Sequence, residues 1–408
     1  MSQRGEIIAG LDVGTTKICL LVAERLGKED IQVIGAAIQP SVGLRKGEII
    51  NVARTVESIQ KTLAQVEDTC EIEIGSVYVG ITGAHVASYN NKAILPISNP
   101  SAGVSLKDIN SAVDAASRLS LPSDREIIHV LPREYAVDDR KGLLEPEGIQ
   151  GSRLEANVHL VTVRSPVLQD IHNCVQQAGL RVEKPVLQQL ASSLAVMREE
   201  EQESGAVLID IGGGTTDYAF FRNSMVCHTK VISVGGDHIT NDISIGLRVL
   251  IRQAEELKRR YASALADQVD EKEMLTLPAP LVRSGRGRSR KTLCRIVELR
   301  LMELFQLIRC DLEEAGLIQD IGSGLVLTGG GALLKDIQQL AERETGLPVR
   351  IGLPRGVCGL KEVIDSPIYS TAVGLVKFGC KFGENQSGRP PRSGRWFGGF
   401  RHWLERYF

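Results

Sequence analysis

The chain has 408 residues, 43% hydrophobic and 24% charged, with a formal net charge of −2. Its length allows two or three domains with sizeable cores, and the near-neutral balance argues against a nucleic-acid protein working by bulk positive charge. Eight cysteines without a C-x-x-C read as reduced, buried thiols of a cytosolic protein, and seven histidines without metal spacing argue against a protein-held zinc.

The first residues hold no apolar core of signal-peptide type, and no apolar run is long enough to cross a membrane. Residues 7–11 read as a strand ended by Asp12, and Val13-Gly14-Thr15-Thr16-Lys17 turns into a second strand at 18–23. Alone this is either an ordinary hairpin or a phosphate turn, with Lys17 as a cation for a β- or γ-phosphate. It is not a Walker A loop, because the glycine and lysine spacing differs. Further strands are expected at 31–38 and 76–82, with a helix at 52–66 between them. From 84 to 157 turn formers and charge increase. A helix at 106–117 has Ser105 as its N-cap and Asp108 in its first turn, polar strands follow at 126–137, and a loop is expected at 138–151. This stretch reads as a small inserted subdomain or as a solvated surface. The buried-strand pattern resumes at 158–163, a helix opens at Ser165-Pro166, and 180–182 is a strand. A helix of small residues is expected over 185–195, either an ordinary core helix or one crossing between domains.

The central stretch is 207–221, VLIDIGGGTTDYAFF. It repeats the opening design: an apolar strand, Asp210, a turn at Gly212-Gly213-Gly214, then Thr215-Thr216-Asp217 into another strand. Three glycines are costly in regular structure but permit a nest of outward N–H groups, an anion site. The alternative is a glycine-rich hairpin with the aspartates as turn formers. Two such hairpins facing each other would clamp one triphosphate between two similar domains. A carboxylate at the strand end, as Asp210 is, can hold a hydrated divalent cation beside such a phosphate, since Mg²⁺ keeps several waters and takes one or two carboxylates. A strand at 230–234 and helices at 239–247 and 251–261 follow. Glu255 and Lys258 share a helix face, as a surface ion pair or as a pair holding ribose and base. The basic run 283–291 lacks aromatics, so nucleic acid is a weak reading there. A long helix covers 293–315, and 324–334 is a strand turning at Gly329-Gly330-Gly331, bare backbone suited to a flat base or an α-phosphate. The last core helix is expected at 371–378.

Residues 383–394 form a Gly/Pro/Ser linker. The end, RWFGGFRHWLERYF, holds both tryptophans. Trp396, Phe397, Phe400, Trp403, Leu404, Tyr407 and Phe408 share one helical face, with Arg395, Arg401 and Arg406 elsewhere on the wheel. An aromatic face with an arginine flank on a tether describes an interfacial membrane helix. Fully burying each large side chain contributes about 1.5–3 kcal/mol, and each arginine near an anionic leaflet about 1 kcal/mol. The alternative is a helix docked on its own domain or in a partner's groove.

Together, D-x-G-T-T-K at 12–17, D-x-G-G-G-T-T-D at 210–217 and T-G-G-G-A at 328–332 resemble the nucleotide segments of the actin/Hsp70/sugar-kinase superfamily. LASSLAV at 190–196, HTKVISVGG at 228–236, AEELK at 254–258 and TAVGL at 371–375 extend the resemblance, over essentially the whole chain, to the FtsA family of bacterial cell-division proteins. The resemblance implies an α/β, actin-like fold: ribonuclease-H-like duplicated halves around an ATP cleft, with a small inserted α+β subdomain and a C-terminal amphipathic helix. The implied divisions are subdomain 1A at 1–83 and 158–204, 1C at 84–157, 2A at 205–225 and 301–365, and 2B at 226–300. Residues 366–382 return to 1A, 383–394 link, and 395–408 target the membrane. By motif, Asp12 and Asp210 order hydrated Mg²⁺ and are catalytic with Gln188. Gly14, Thr15, Thr16 and Lys17 hold the β/γ-phosphates against Gly212, Gly213, Gly214 and Thr215, while Gly329, Gly330, Gly331, Glu255 and Lys258 hold adenosine. Where hydrolytic relatives carry a glutamate, this chain shows Gln188, or Gln189 if the register slips. A glutamine orients water without taking its proton, so ATP is expected to bind tightly and turn over slowly, a weak ATPase at most. The implied partners are the C-terminal peptide of the tubulin-like protein FtsZ, with Arg300 as a contact, further copies of the chain, anionic inner-membrane lipids and later divisome proteins, at the cytoplasmic face of the division site. The competing expectation is a soluble sugar kinase or chaperone-type ATPase.

Overall fold

A computed structural model describes residues 5–27, 30–275 and 288–383. The first half begins with β1 (Glu6–Val13), β2 (Lys17–Arg25) and β3 (Ile31–Pro40), then α1 (Val52–Cys70) and β4 (Ser76–Ile81). An inserted unit follows: β5 (Ala87–Pro96), α2 (Leu106–Ala116), β6 (Arg125–Val137), β7 (Arg140–Leu143) and β8 (Arg153–Arg164). The chain returns through α3 (Ser165–Gln177), β9 (Arg181–Leu187) and α4 (Gln188–Val196). The second half holds β10 (Ala206–Ile211), β11 (Thr216–Arg222), β12 (Met225–Ile232), α5 (Gly236–Leu247), α6 (Ile251–Tyr261), α7 (Arg290–Glu314), β13 (Gly324–Thr328), α8 (Ile337–Thr345) and β14 (Val349–Ile351). A last helix, α9 (Ser370–Phe382), packs back on the first half.

The two main sheets share one topology. The first runs β9-β4-β1-β2-β3, extended by a short strand at Cys358–Gly359 on β3, and the second runs β14-β13-β10-β11-β12. In each, three antiparallel strands are joined by hairpins and two parallel strands are added beside the first. The parallel additions need crossover helices, which α1, α3, α7 and α8 supply. The central strands β1, β2 and β10 are apolar and buried on both faces, as sheets sandwiched between helices require. The molecule is thus a duplicated, actin-like α/β fold.

Several boundaries differ from the sequence reading. Pro185 lies in β9, paired with Val79, not in a helix. It is tolerated because β9 is an edge strand of its sheet, where a missing N–H breaks no ladder. The expected loop at 138–151 contains β7, which pairs with β6. β8 runs unbroken through 157 in the insert's own four-stranded sheet, β5-β8-β6-β7, so residues 158–164 belong to that sheet. β12 pairs with β11 in the second main sheet, so the helical part of that half starts after Ile232, and α7 crosses position 300 without a break. The insert's α2 carries the expected cap: Ser105 and Asp108 form a reciprocal capping box. The expected helix at 395–408 lies outside the described residues.

Candidate functional site

The site forms where the two glycine hairpins meet. Each is closed by the same bond, Gly14 N to Lys17 O at 3.0 Å and Gly212 N to Thr215 O at 2.9 Å. The tips touch: a Cβ on Gly213 would lie 2.3 Å from Thr16 Oγ1, and one on Gly214 2.5 Å from Thr15 Oγ1. Only glycine permits that approach. The start of α5 seats on the second hairpin, Gly236 N donating to Gly212 O at 2.9 Å and Asp237 N to Gly213 O at 2.8 Å. In a trans peptide the N–H opposes the C=O. With both carbonyls turned to α5, the Gly213 and Gly214 N–H groups face the cleft, as an anion nest requires.

One cavity is lined by Asp12, Gly14, Thr15, Thr16, Lys17, Thr82, Gln188, Asp210, Gly212, Gly213, Gly214, Thr215, Gly329, Gly330, Ile368 and Thr371. Asp12 ends β1 and Asp210 ends β10, equivalent strands of the two sheets. Gln188 Nε2 donates to Asp12 Oδ1 at 2.8 Å, and Lys17 Nζ lies 3.4 Å from Asp12 Oδ2 while also donating to the Ile368 carbonyl. Asp210 Oδ2 accepts from Ser192 Oγ at 2.6 Å and from Thr371 Oγ1 at 3.2 Å. Asp217 accepts from Thr82 Oγ1, across the cleft, and from Thr215 Oγ1 at 3.0 Å.

Burial pushes the Asp12 carboxyl up against the pull of Lys17, and burial likewise pushes up Asp210. Asp217 is pushed up to about 7 by burial, with Asp210 and Asp12 adding to the shift. Burial works against the charge of Lys17, yet the neighbouring anionic groups, Asp12 foremost, outweigh it and hold the amine above its ordinary value. Three carboxyls therefore crowd beside one lysine with burial favouring the neutral form of each, and a cation beside Asp12 and Asp210 would favour their ionised form. The donor set is hard oxygen throughout and fits a hydrated divalent cation. Among the described residues no group of three or more His, Cys, Asp or Glu side chains is placed to hold a metal ion.

Other expected residues fall elsewhere. Gly330 opens onto the cavity with nothing within 4 Å of its Cβ position, and Gly329 holds φ +80° beside Asp210, where a Cβ would meet Oδ1 at 2.2 Å. Gly331 packs on Ile211 instead of lining the cavity. Glu255 and Lys258 pair at 2.6 Å behind the first turn of α5, where Lys258 Nζ reaches Gly236 O at 2.9 Å; neither lines the cavity. Arg300 on α7 holds Asp242 of α5 through two bonds, at 2.6 and 3.1 Å, well away from the cleft. Gln188 is the glutamine in the cavity, and Gln189 is fully buried outside it. The sequence reading gave no site role to Thr82, Ser192, Asp217 or Thr371, taking Asp217 at most as a turn former and Ser192 as a small helix residue. Asp217 stands inside the repeated motif and was open to detection there, whereas the three hydroxyls have no local signature.

The described geometry has counterparts. The family described as "Cell division protein FtsA" matches residues 207–374, and "SHS2 domain inserted in FTSA" matches residues 83–162, the inserted sheet. A cell division protein FtsA of Pseudomonas aeruginosa is 41% identical over 379 residues, covering 93% of this chain and 90% of its own. The one of Escherichia coli K12 is 32% identical over 415 residues, covering 99% and 98%. Among solved structures, a PilM–PilN type IV pilus biogenesis complex superposes with TM-score 0.65 at 18% identity, over 91% of this chain and 98% of that one. MreB5 of Spiroplasma citri bound to AMPPNP superposes with TM-score 0.55 at 16% identity, over 92% and 96%.

Proposed function

The chain belongs to the FtsA family of cell-division proteins, and from that premise we propose that it is an ATP-dependent membrane adaptor of the division ring. ATP with Mg²⁺ binds between the two hairpins. Asp12 and Asp210 hold the cation's waters, the Gly213 and Gly214 amides and Lys17 take the phosphates, and Gly330 leaves room for the nucleoside. The cation supplies charge neutralisation at the triphosphate. The observation carrying this reading is the matched pair of hairpins, each fed by a strand that ends in a buried carboxyl. The nucleotide held by the distantly similar MreB5 supports it. Gln188, already donating to Asp12, orients water without serving as a base, so ATP acts mainly as a conformational ligand and hydrolysis is slow.

The actin-like halves stack copy on copy into filaments. The aromatic tail 395–408 places the assembly on anionic lipid of the inner membrane's cytoplasmic face, at the division site. No helix among the described residues is long and apolar enough to span a membrane, and in this reading attachment is through the tail alone. The tubulin-like FtsZ docks through its C-terminal peptide on the helical part of the second half, where Arg300 would exchange Asp242 for an acidic group of the peptide. Later divisome proteins join the assembly.

Co-sedimentation with anionic liposomes in Mg·ATP, comparing the full chain with one stopped after Gly383, tests the adaptor. The full chain pellets and the shortened chain stays in solution. If both stay in solution, the tail is a docking helix and the chain is a soluble ATPase of the same fold.

A further inference from the structure

Two hydrogen bonds tie β6 of the insert to the segments that carry Thr82 and Gln188 to the cleft. Arg125 Nη2 donates to His85 O at 2.7 Å, while its Nε and Nη2 hold Thr162 of β8 at 3.1 and 3.2 Å. His85 follows shortly after Thr82, the hydroxyl that reaches Asp217. Four residues along β6, His129 Nε2 accepts the Leu187 N–H at 3.0 Å. Leu187 is the N-cap of α4, which has no side-chain cap of its own, and the next residue is Gln188, bonded to Asp12. β4 and β9 are neighbouring parallel strands that deliver Thr82 and Gln188 to the cleft. One strand of the insert therefore grips the outgoing ends of both.

His129 is made for this contact. It is 1% exposed, and burial holds its ring down to about 3, with Lys184 adding to the effect. The ring is thus neutral at working pH. Since Nε2 accepts, the proton sits on Nδ1, and the acceptor never titrates away. The register between β6 and β8 shifts by one beside His129. Such a bulge re-aims side chains.

We propose that β6 is a clamp through which the insert sets the cleft, with His129 the positioning residue that fixes Gln188 against Asp12, so that the state of the insert and nucleotide affinity are linked. The inference rests on the nucleotide reading above. The test measures dissociation of a fluorescent ATP analogue with Mg²⁺ from the full chain carrying His129→Phe, which keeps bulk but accepts no bond, and His129→Gln, whose carboxamide oxygen accepts in place of Nε2. Each is made alone and with Gln188→Ala, and thermal unfolding checks that all fold. His129→Phe is expected to release the analogue about tenfold faster, His129→Gln to restore the rate, and the effect to vanish with Gln188→Ala, since coupled neighbours are non-additive. An unchanged rate in His129→Phe, or an equal effect in the Gln188→Ala background, overturns the clamp. If the unsubstituted chain fails to bind the analogue, the nucleotide reading falls, and hydrogen exchange over residues 183–190 decides the clamp. Faster exchange in His129→Phe but not in His129→Gln sustains it, and equal exchange in all three overturns it.

Discussion

Asp217 is buried beside two other carboxyls, Asp210 and Asp12, with two threonine hydroxyls relieving it only in part, and its titration follows from that. Its folded value near 7 lies above the ordinary 3.8, chiefly through burial. The folded chain therefore carries an extra proton between those values, and the stability this gives is full below about 4 and is lost as pH rises through 7. In EDTA, thermal unfolding should fall in midpoint from pH 5 to pH 8. Asp217→Asn should flatten that fall and raise the pH 8 midpoint, by an amount on the order of a few kcal/mol, since the amide oxygen still accepts from a threonine. Part of the slope will persist, because Asp12 and Asp210 are raised in the same direction. An unchanged slope would mean that Asp217 is ionised throughout. The two cleft aspartates were legible in the sequence because each ends an apolar strand before a glycine turn. Their partners were not. Thr82 meets Asp217 from 135 positions away and Thr371 meets Asp210 from 161; a hydroxyl on a buried segment announces nothing until the chain brings its acceptor to it.

Two helices cross where the chain passes between the halves. α4 leaves the first half and α9 returns to it, and they meet where a Cβ on Gly374 would lie 1.8 Å from the Ala191 carbonyl oxygen. The backbones touch, and the same two helices carry Ser192 and Thr371 to Asp210. Gly374→Ala should force the crossing apart. Overpacking of a tight core costs typically 1–3 kcal/mol, and backbone on the far side leaves little room to yield, so a loss of about 3 kcal/mol is expected in chemical denaturation. A change under about 0.5 kcal/mol would mean the crossing slides freely. The small residues of 190–196 did suggest close approach in the sequence, but the helix start did not read correctly. Pro185-Val186 looks like a helix opening because proline favours a first turn. The edge position of β9, a property of the sheet and not of the segment, decides otherwise. The same holds for β8, whose apolar half matches a main-sheet strand until its partners β5 and β6 are known.

At the scale of the molecule, the cleft joins the two halves, with Asp12 and Lys17 from one and Asp210 from the other lining one cavity. The halves meet through polar contacts at its rim: Thr82 to Asp217, Ser88 Oγ to Thr229 O at 2.8 Å, and His159 Nε2 with Thr229 Oγ1 at 2.8 Å. Such bonds exchange for water at small net cost, whereas the α4–α9 crossing is packed backbone to backbone. Beneath those polar contacts the halves share a buried apolar cluster, in which Leu131, Val161 and Leu190 pack with Leu208, Phe221 and Val226, while the Gly213 and Gly214 tips lie against Thr16 and Thr15. Charge decides what enters. Burial opposes ionisation of Asp12 and Asp210, a bare polyphosphate beside them opposes it further, and a divalent cation would favour both the ionised carboxylates and the phosphates. Mg·ATP at about a hundred times its dissociation constant should add about 2.7 kcal/mol of stability by linkage, read as a rise of several degrees in the unfolding midpoint. ATP in EDTA should give a small fraction of that rise, and Mg²⁺ alone a small one. Thr82→Val, which removes the hydroxyl that bonds Asp217 of the second hairpin but leaves Asp12, Asp210 and Lys17 in place, should speed nucleotide entry while leaving the dependence on Mg²⁺ intact. Equal stabilisation by ATP with and without the cation would mean that the aspartates are spectators and that Lys17 and the backbone nest hold the phosphates unaided.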